Sequence, residues 1–173
     1  MGMQLQLIKP SLHIKKEYLD FAREWQKNDE EIIPWAARLM GKDYKSWVEE
    51  TQKNEKTPPP HLVPSSTFFL INTDGVIIGA INIRHYLNEA LLRTGGHIGY
   101  GIRPFFRGNG FATHMLALAL PITRNLGITK ALLTCDKQNI ASAKTIIKNG
   151  GILENEINEE TRITQRYWIS LDM

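Results

Sequence analysis

Apolar residues recur along this chain with two different spacings, and the change between them divides it. From Leu12 to Trp25 the positions Tyr18, Leu19, Ala22 and Trp25 follow a helical repeat, and from Pro34 to Thr51 Trp35, Leu39, Tyr44, Trp47 and Val48 continue it. A helical turn takes about 3.6 residues, so this spacing gathers the side chains on one face and predicts two or three amphipathic helices. A short strand, Gln4 to Ile8, precedes them, and Thr57-Pro58-Pro59-Pro60 then makes a stiff extended break. Beyond it, Thr67 to Asn72 and Val76 to Tyr86 are β-branched and aromatic runs joined by Thr73-Asp74-Gly75, an Asp-Gly signal for a hairpin. His97 to Arg103 reads as another strand, Gly108 to Leu126 as a long apolar helix and Thr129 to Cys135 as a central strand. Ile140 to Lys148 is a helix closed by Gly150-Gly151, and Thr161 to Ser170 a final strand. Pro121 removes one helical hydrogen bond and opposes the carbonyl of Ala117, at a cost of ~3 kcal/mol, which predicts a kink. The order is that of an α+β protein with mixed strand pairing.

A chain of 173 residues has room for one ordinary domain and a core that needs no disulfide or metal staple. With 42% apolar and 23% charged residues, neither disorder nor a rod-like assembly fits. The longest run without a polar side chain, Met115 to Ile122, is eight residues and far short of the roughly 20 that span a bilayer. The start lacks the apolar stretch and cleavage site of a secretory leader, so the expected location is the cytoplasm. One cysteine, Cys135, cannot pair internally, and without CxxC or HxxH spacing no metal is expected. It reads as a small buried hydrophobe.

Twenty-one Lys and Arg against eighteen Asp and Glu leave a net charge of +3, too little to dictate a nucleic-acid partner. Where the cations fall is more useful. Arg103, Arg107, Lys137, Lys144 and Lys148 lie near a glycine-rich stretch running from Gly95 to Ala112. This stretch reads as a strand, a proline turn, a glycine-bearing loop and a helix start. Such a start leaves the first helical N–H groups without partners and aims them, with the positive end of the helix dipole, at whatever fills the loop. Gly108 and Gly110 would let an oxyanion approach the amides, and Arg107 could add a charge-assisted bond. A turn with an N-cap would account for the same residues. No P-loop and no GxGxxG fingerprint is present, which removes support for nucleotide hydrolysis.

The run Arg107-Gly108-Asn109-Gly110-Phe111-Ala112 resembles the Arg/Gln-x-x-Gly-x-Gly/Ala signature of the GNAT superfamily of acyl-CoA-dependent N-acyltransferases. Asn139-Ile-Ala-Ser-Ala-Lys, ending at Lys148-Asn149-Gly150-Gly151, is similar to that family's second helix, and the likeness covers roughly residues 67 to 171. The resemblance implies a mixed, mostly antiparallel sheet flanked by helices, with splayed central strands forming an acyl-CoA cleft. It implies that residues 67–171 bind acetyl-CoA and that residues 1–60 cover the acceptor side of one domain, 1–173. The amides of about Arg107, Gly108, Asn109, Gly110, Phe111 and Ala112 would hold the pyrophosphate. The backbone of Gly101, Ile102 and Arg103 would pair with the pantetheine arm, and Asn139 and Ser142 would approach it. Asn139 is also where an N-cap belongs, and Ser142 could be a first-turn surface residue.

The implied reaction moves an acetyl group to a primary amine of a small molecule or peptide, in a monomer or homodimer, without nucleic acid or membrane. A proton acceptor helps, because an amine with a pKa near 10 is mostly charged at neutrality. His97 is the candidate, on the strand that would line the cleft; a histidine satisfied by a cross-strand neighbour is the other reading. His85 is a weaker candidate, and His13, His61 and His114 look incidental. Alternation sets His97, Gly99, Gly101 and Arg103 on one side and Ile98, Tyr100 and Ile102 on the other. Ile146 stands where many members carry a tyrosine that protonates the leaving thiolate. Tyr100 or Ser142 could take its place, or the thiolate could leave unassisted. A non-catalytic acyl-CoA-binding or sensing module is the alternative that Ile146 favours. Trp25, Trp35, Tyr44 and Trp47 read as core.

Overall fold

The computed structural model describes residues 3–172. In chain order its regular elements are β1 (Leu5–Ile8), α1 (Lys15–Lys27), α2 (Tyr44–Lys53), β2 (Ser65–Asn72), β3 (Ile77–Arg84), β4 (Ile98–Ile102), α3 (Phe111–Asn125), β5 (Lys130–Asp136), α4 (Ile140–Lys148), β6 (Ile152–Asn158) and β7 (Ile163–Ser170). The strands form two sheets, β1-β2-β3-β4 and β5-β7-β6. Every ladder in them is antiparallel, within the mostly antiparallel, helix-flanked architecture expected. β4 and β5 are the facing edges and share no ladder. They meet where His97, just ahead of β4, donates its N–H to Leu132 O at 2.7 Å.

Both faces of the first sheet are covered, which explains why β2 and β3 read as nearly unbroken apolar runs. Tyr18, Phe21 and Trp25 lie one to two turns apart on α1 and pack with Trp47 against Phe69, Ile71, Ile77 and Ala80. On the opposite face Met115, Leu116 and Ala119 of α3 meet Leu70, Ile81, Ile83, Ile98 and Ile102, and this core continues into Leu133, Tyr167 and Ile169 of the second sheet. Each large side chain fully buried this way contributes roughly 1.5–3 kcal/mol. Among the described residues no helix is long and apolar enough to cross a membrane.

Several boundaries differ from the sequence reading, for local reasons. The helix expected from Pro34 is a single 3-10 turn at Trp35–Ala37, because Met40 and Gly41 take left-handed φ values of 52° and 79° that no α-helix continues. α2 starts only after Asp43, whose carboxylate accepts from Ser46 N–H at 3.1 Å. Trp35 is consequently exposed, unlike Trp25, Tyr44 and Trp47. α3 starts at Phe111 rather than Gly108 and runs on through Pro121, which sits on its exposed face. β6 occupies a stretch where no element was expected.

Candidate functional site

The loop between β4 and α3 is shaped by two left-handed residues, Gly108 (φ 77°) and Gly110 (φ 80°). A Cβ at either would touch no other part of the protein, so backbone conformation rather than space selects glycine there. Asn109 Nδ2 donates to Phe106 O and Arg107 O, which fixes the turn from inside. Arg107 N–H donates to Pro104 O at 3.2 Å, and the first amide of α3 with a partner is that of His114, which donates to Gly110 O. Among the described residues, no protein oxygen accepts from the N–H groups of residues 108–113. The expected run of free amides therefore begins at Gly108, one residue later than Arg107.

Those amides open on a cavity of about 700 Å³ that wraps around the free edge of β4. Phe111, Ala112 and Thr113 of α3 and Asn139, Ser142, Lys144, Thr145 and Lys148 of α4 wall one side. Trp25, Glu30 and Ile33 close the other. Arg107 turns toward that second wall: its two terminal nitrogens donate to Glu30 at 3.0 and 2.8 Å, its Nε donates to Ile102 O at 3.0 Å, and its plane lies 4.9 Å over the Trp25 ring. The bond from Arg107 holds the Glu30 carboxyl below its usual range. The indole N–H of Trp25, buried beneath, has no acceptor.

Strand alternation decides which backbone groups of β4 face the cavity. Arg103 N–H donates to Ile78 O and Arg84 N–H donates to His97 O, so the odd residues direct their peptide groups to β3. Tyr100 and Ile102 direct theirs toward the split between the sheets. Of the three residues expected to pair with a pantetheine arm, Ile102 alone directs its peptide group away from β3. Gly101 lines the cavity through its Cα, where a side chain would overlap Ile33 O. Arg103 faces β3 and α1 instead, its N–H on Ile78 O and its carbonyl accepting from Phe106 N–H at 3.1 Å. It is buried, donates to Glu24, to Asp20 at 3.2 Å and to Ile77 O at 3.1 Å, and ties β4 to α1.

At the inner end of the cavity Tyr100 Oη lies 2.8 Å from Ser142 Oγ. Burial pushes the phenol pKa up to about 12, so it carries its proton at neutrality. Burial also raises the pKa of the nearby Cys135 thiol. Asn139 caps α4, its Oδ1 accepting from Ser142 N–H at 3.1 Å. Ile146, at the family's tyrosine position, is buried against Gly151.

His97 stands elsewhere. The residue is 6% exposed, and its Nδ1 accepts the N–H of Leu132 at 2.9 Å, while its backbone N–H goes to Leu132 O. Burial first, and the Arg84 cation second, lower its pKa to about 4. The Nδ1 lone pair is already occupied, and these bonds make His97 a tie between the sheets. His85 is bonded to Ser66 Oγ at 2.9 Å, with its pKa lowered chiefly by burial. Lys144 and Lys148, noted for charge, do line the cavity, whereas Lys137 pairs with Glu156. Glu30 and Ile33 carried no sequence signal and Trp25 read only as core, because only the folded chain brings the end of α1 and the residues after it across to β4.

A family model described as an acetyltransferase (GNAT) domain matches residues 11–152. No curated protein matches the chain in sequence. Among solved structures, a spermidine N-acetyltransferase chimera of Vibrio cholerae SpeG and hSSAT superposes with a TM-score of 0.63 at 18% identity, over 97% of this chain and 96% of its own. The Salmonella typhimurium acetyl transferase that modifies the N-terminal serine of 50S ribosomal subunit protein L7/L12 gives 0.67 at 14%, over 99% and 97%. A dodecameric spermidine N-acetyltransferase from Vibrio cholerae gives 0.63 at 15%, over 98% and 94%.

Proposed function

The chain belongs to the GNAT acetyltransferase family, and on that premise we propose that it moves an acetyl group from acetyl-CoA to a primary amine by direct attack, with both substrates held together. The observation that carries this reading is the run of unpartnered amides at residues 108–113, at the mouth of a cavity the size of a small-molecule site. Gly108, Asn109, Gly110, Phe111 and Ala112 would hold the diphosphate, with Lys144 and Lys148 alongside. Ile102 and Asn139 would flank the arm. Arg107 would keep the loop against Glu30 and Trp25.

Acetyl-CoA supplies the acyl group and a sulfur leaving group. The protein's part is to align, exclude water and move protons. Alignment alone can lower the barrier by about 7–11 kcal/mol, so water suffices as the acceptor of the amine's proton. Tyr100, protonated and fixed by Ser142, stands in for the missing tyrosine of α4. As the amine nitrogen bonds to the acyl carbon and the carbon–sulfur bond breaks, Tyr100 gives its proton to sulfur and regains one released by the amine through solvent. Residues 1–60 would cover the acceptor side, with Ile33 lying over Gly101.

A melting shift with acetyl-CoA and none with ATP tests the cofactor. At 100 times its dissociation constant the ligand should add about 2.7 kcal/mol of stability. Thiol release across a panel of amines tests transfer. Binding without thiol release above the buffer rate would make the protein an acyl-CoA-binding module instead, the outcome that Ile146 favours.

A further inference from the structure

The second sheet buries one face and leaves much of the other open. Leu133, Tyr167 and Ile169 point into the core shared with α3 and α4, so Lys130, Trp168 and Ser170, which alternate with them along β5 and β7, point outward. The turn at Leu91–Gly95 covers only the far end of this outer face, where Arg166 donates to Leu92 O at 2.9 Å and Thr134 to Thr94 O at 2.7 Å. Nearer the start of β6, Ile152 stands opposite Trp168 in the β6–β7 ladder and is 75% exposed, and Leu153 is 45% exposed. With Lys130, Glu154 and Ser170 they line a groove of about 490 Å³.

Large apolar side chains gathered on an open sheet face, beside a free edge strand, invite uncontrolled association unless something covers them. The charges at the rims say what covers these. Lys130 lies on β5 and Glu154 on β6, with Trp168 on β7 between them. Lys9, Lys42, Lys45 and Lys137 each meet a carboxylate, whereas Lys130 meets none among the described residues. Glu154 is held in place through Oε2, which accepts from Arg166 Nη1 and from Trp168 Nε1, and its Oε1 is left free among the described residues. A surface that is positive at one rim, negative at the other and apolar between is its own complement. A two-fold axis lying in the interface sets Lys130 of each copy against Glu154 of the other, with Ile152 and Trp168 in the middle. An anionic membrane or a strongly charged partner would call for one sign of charge across the groove. We infer that a second copy of this chain covers the outer face of the second sheet, in a closed two-fold dimer. The dimer does not depend on the acetyl-transfer reading.

Sedimentation of the full chain over a range of concentrations tests this. The wild type should reach a dimer at micromolar concentration, with or without coenzyme A. Ile152→Glu sets an unpaired charge in the middle of the contact and should raise the dimer dissociation constant about 100-fold or more. The melting temperature of the dilute single chain should hold in that variant, because residue 152 is open to solvent there. Lys130→Glu, facing Glu154 of the second copy, should raise the constant about tenfold, and added salt should remove most of that difference. A short bis-maleimide should join Ile152→Cys chains in pairs but neither wild-type nor Asp74→Cys chains, since Cys135 is buried and Asp74 lies on the turn between β2 and β3. Should Ile152→Glu fail to fold, cross-linking of Ile152→Cys decides. A wild type that stays monomeric throughout, a dimer that Ile152→Glu leaves intact, or Ile152→Cys chains that do not cross-link would each overturn the inference.

Discussion

At the start of β4 the peptide groups of His97 and the Nδ1 of its ring are all matched within the protein, whereas just past the end of the strand the amides of residues 108–113 have no protein acceptor. The two places are built from similar material, short glycine-bearing segments next to β4, and they do opposite work. Matched groups at His97 and Leu132 hold two sheets together. Unmatched groups at Gly108 to Thr113 add little to the fold and are costly unless water or an anion meets them. Function is thus expected where hydrogen-bonding capacity is left open, and stability where it is closed.

The sharpest way to break that contrast is Gly110→Val. A β-branched residue at φ 80° costs roughly 1–3 kcal/mol in strain. Coenzyme A affinity, read by calorimetry, should fall further, by about 100-fold or more, and equal losses would make the loop merely architectural. Next is His97→Ala, which orphans the Leu132 N–H and should cost about 2 kcal/mol in urea unfolding with coenzyme A affinity unchanged. Its pH dependence has a definite sign. The folded pKa, about 4, lies below the ~6.5 of an unfolded chain, so the unfolded state binds the extra proton between them. Wild-type stability should be full above pH ~6.5 and decline as pH falls toward 4, and the variant should lack that part of the slope. A neutral inflection in the activity profile that vanishes in His97→Ala with stability intact would instead make His97 the base.

Smaller effects refine the picture. Tyr100→Phe keeps the ring and removes the proton, so turnover should drop about tenfold with little change in coenzyme A affinity. An equal rise in the dissociation constant would give Tyr100 a binding role only. Asn139→Ala removes the cap on Ser142 N–H and should lower stability by ~1 kcal/mol. A much larger loss of affinity than of stability would show that Asn139 serves the cofactor first.

The contrast also marks how far the sequence could be read. The β2–β3 hairpin, α3, α4 and the loop at Gly108 were legible because each rests on local signals: an Asp-Gly turn, helical spacing, glycines before an apolar run. β6 was not, since Ile152–Asn158 pairs only with β7 and leaves Ile152 75% exposed, so burial imposes no alternation on its residues. The breaks at Met40 and Gly41 were hidden by apolar residues that mimic a helical repeat on both sides. The part played by His97 depends on which residue of β5 lies opposite it, and no feature of the strand itself fixes that register. The same holds for Arg103 and Arg107, whose acidic partners lie about 80 residues earlier in the chain.

Amide-resolved NMR during a coenzyme A titration addresses the loop itself. The account predicts that the largest shifts fall on the N–H groups of Gly108 to Thr113, with those of His97 and Leu132 nearly still. Tight binding that leaves the 108–113 amides unmoved, or that disturbs the His97–Leu132 pair instead, would contradict it.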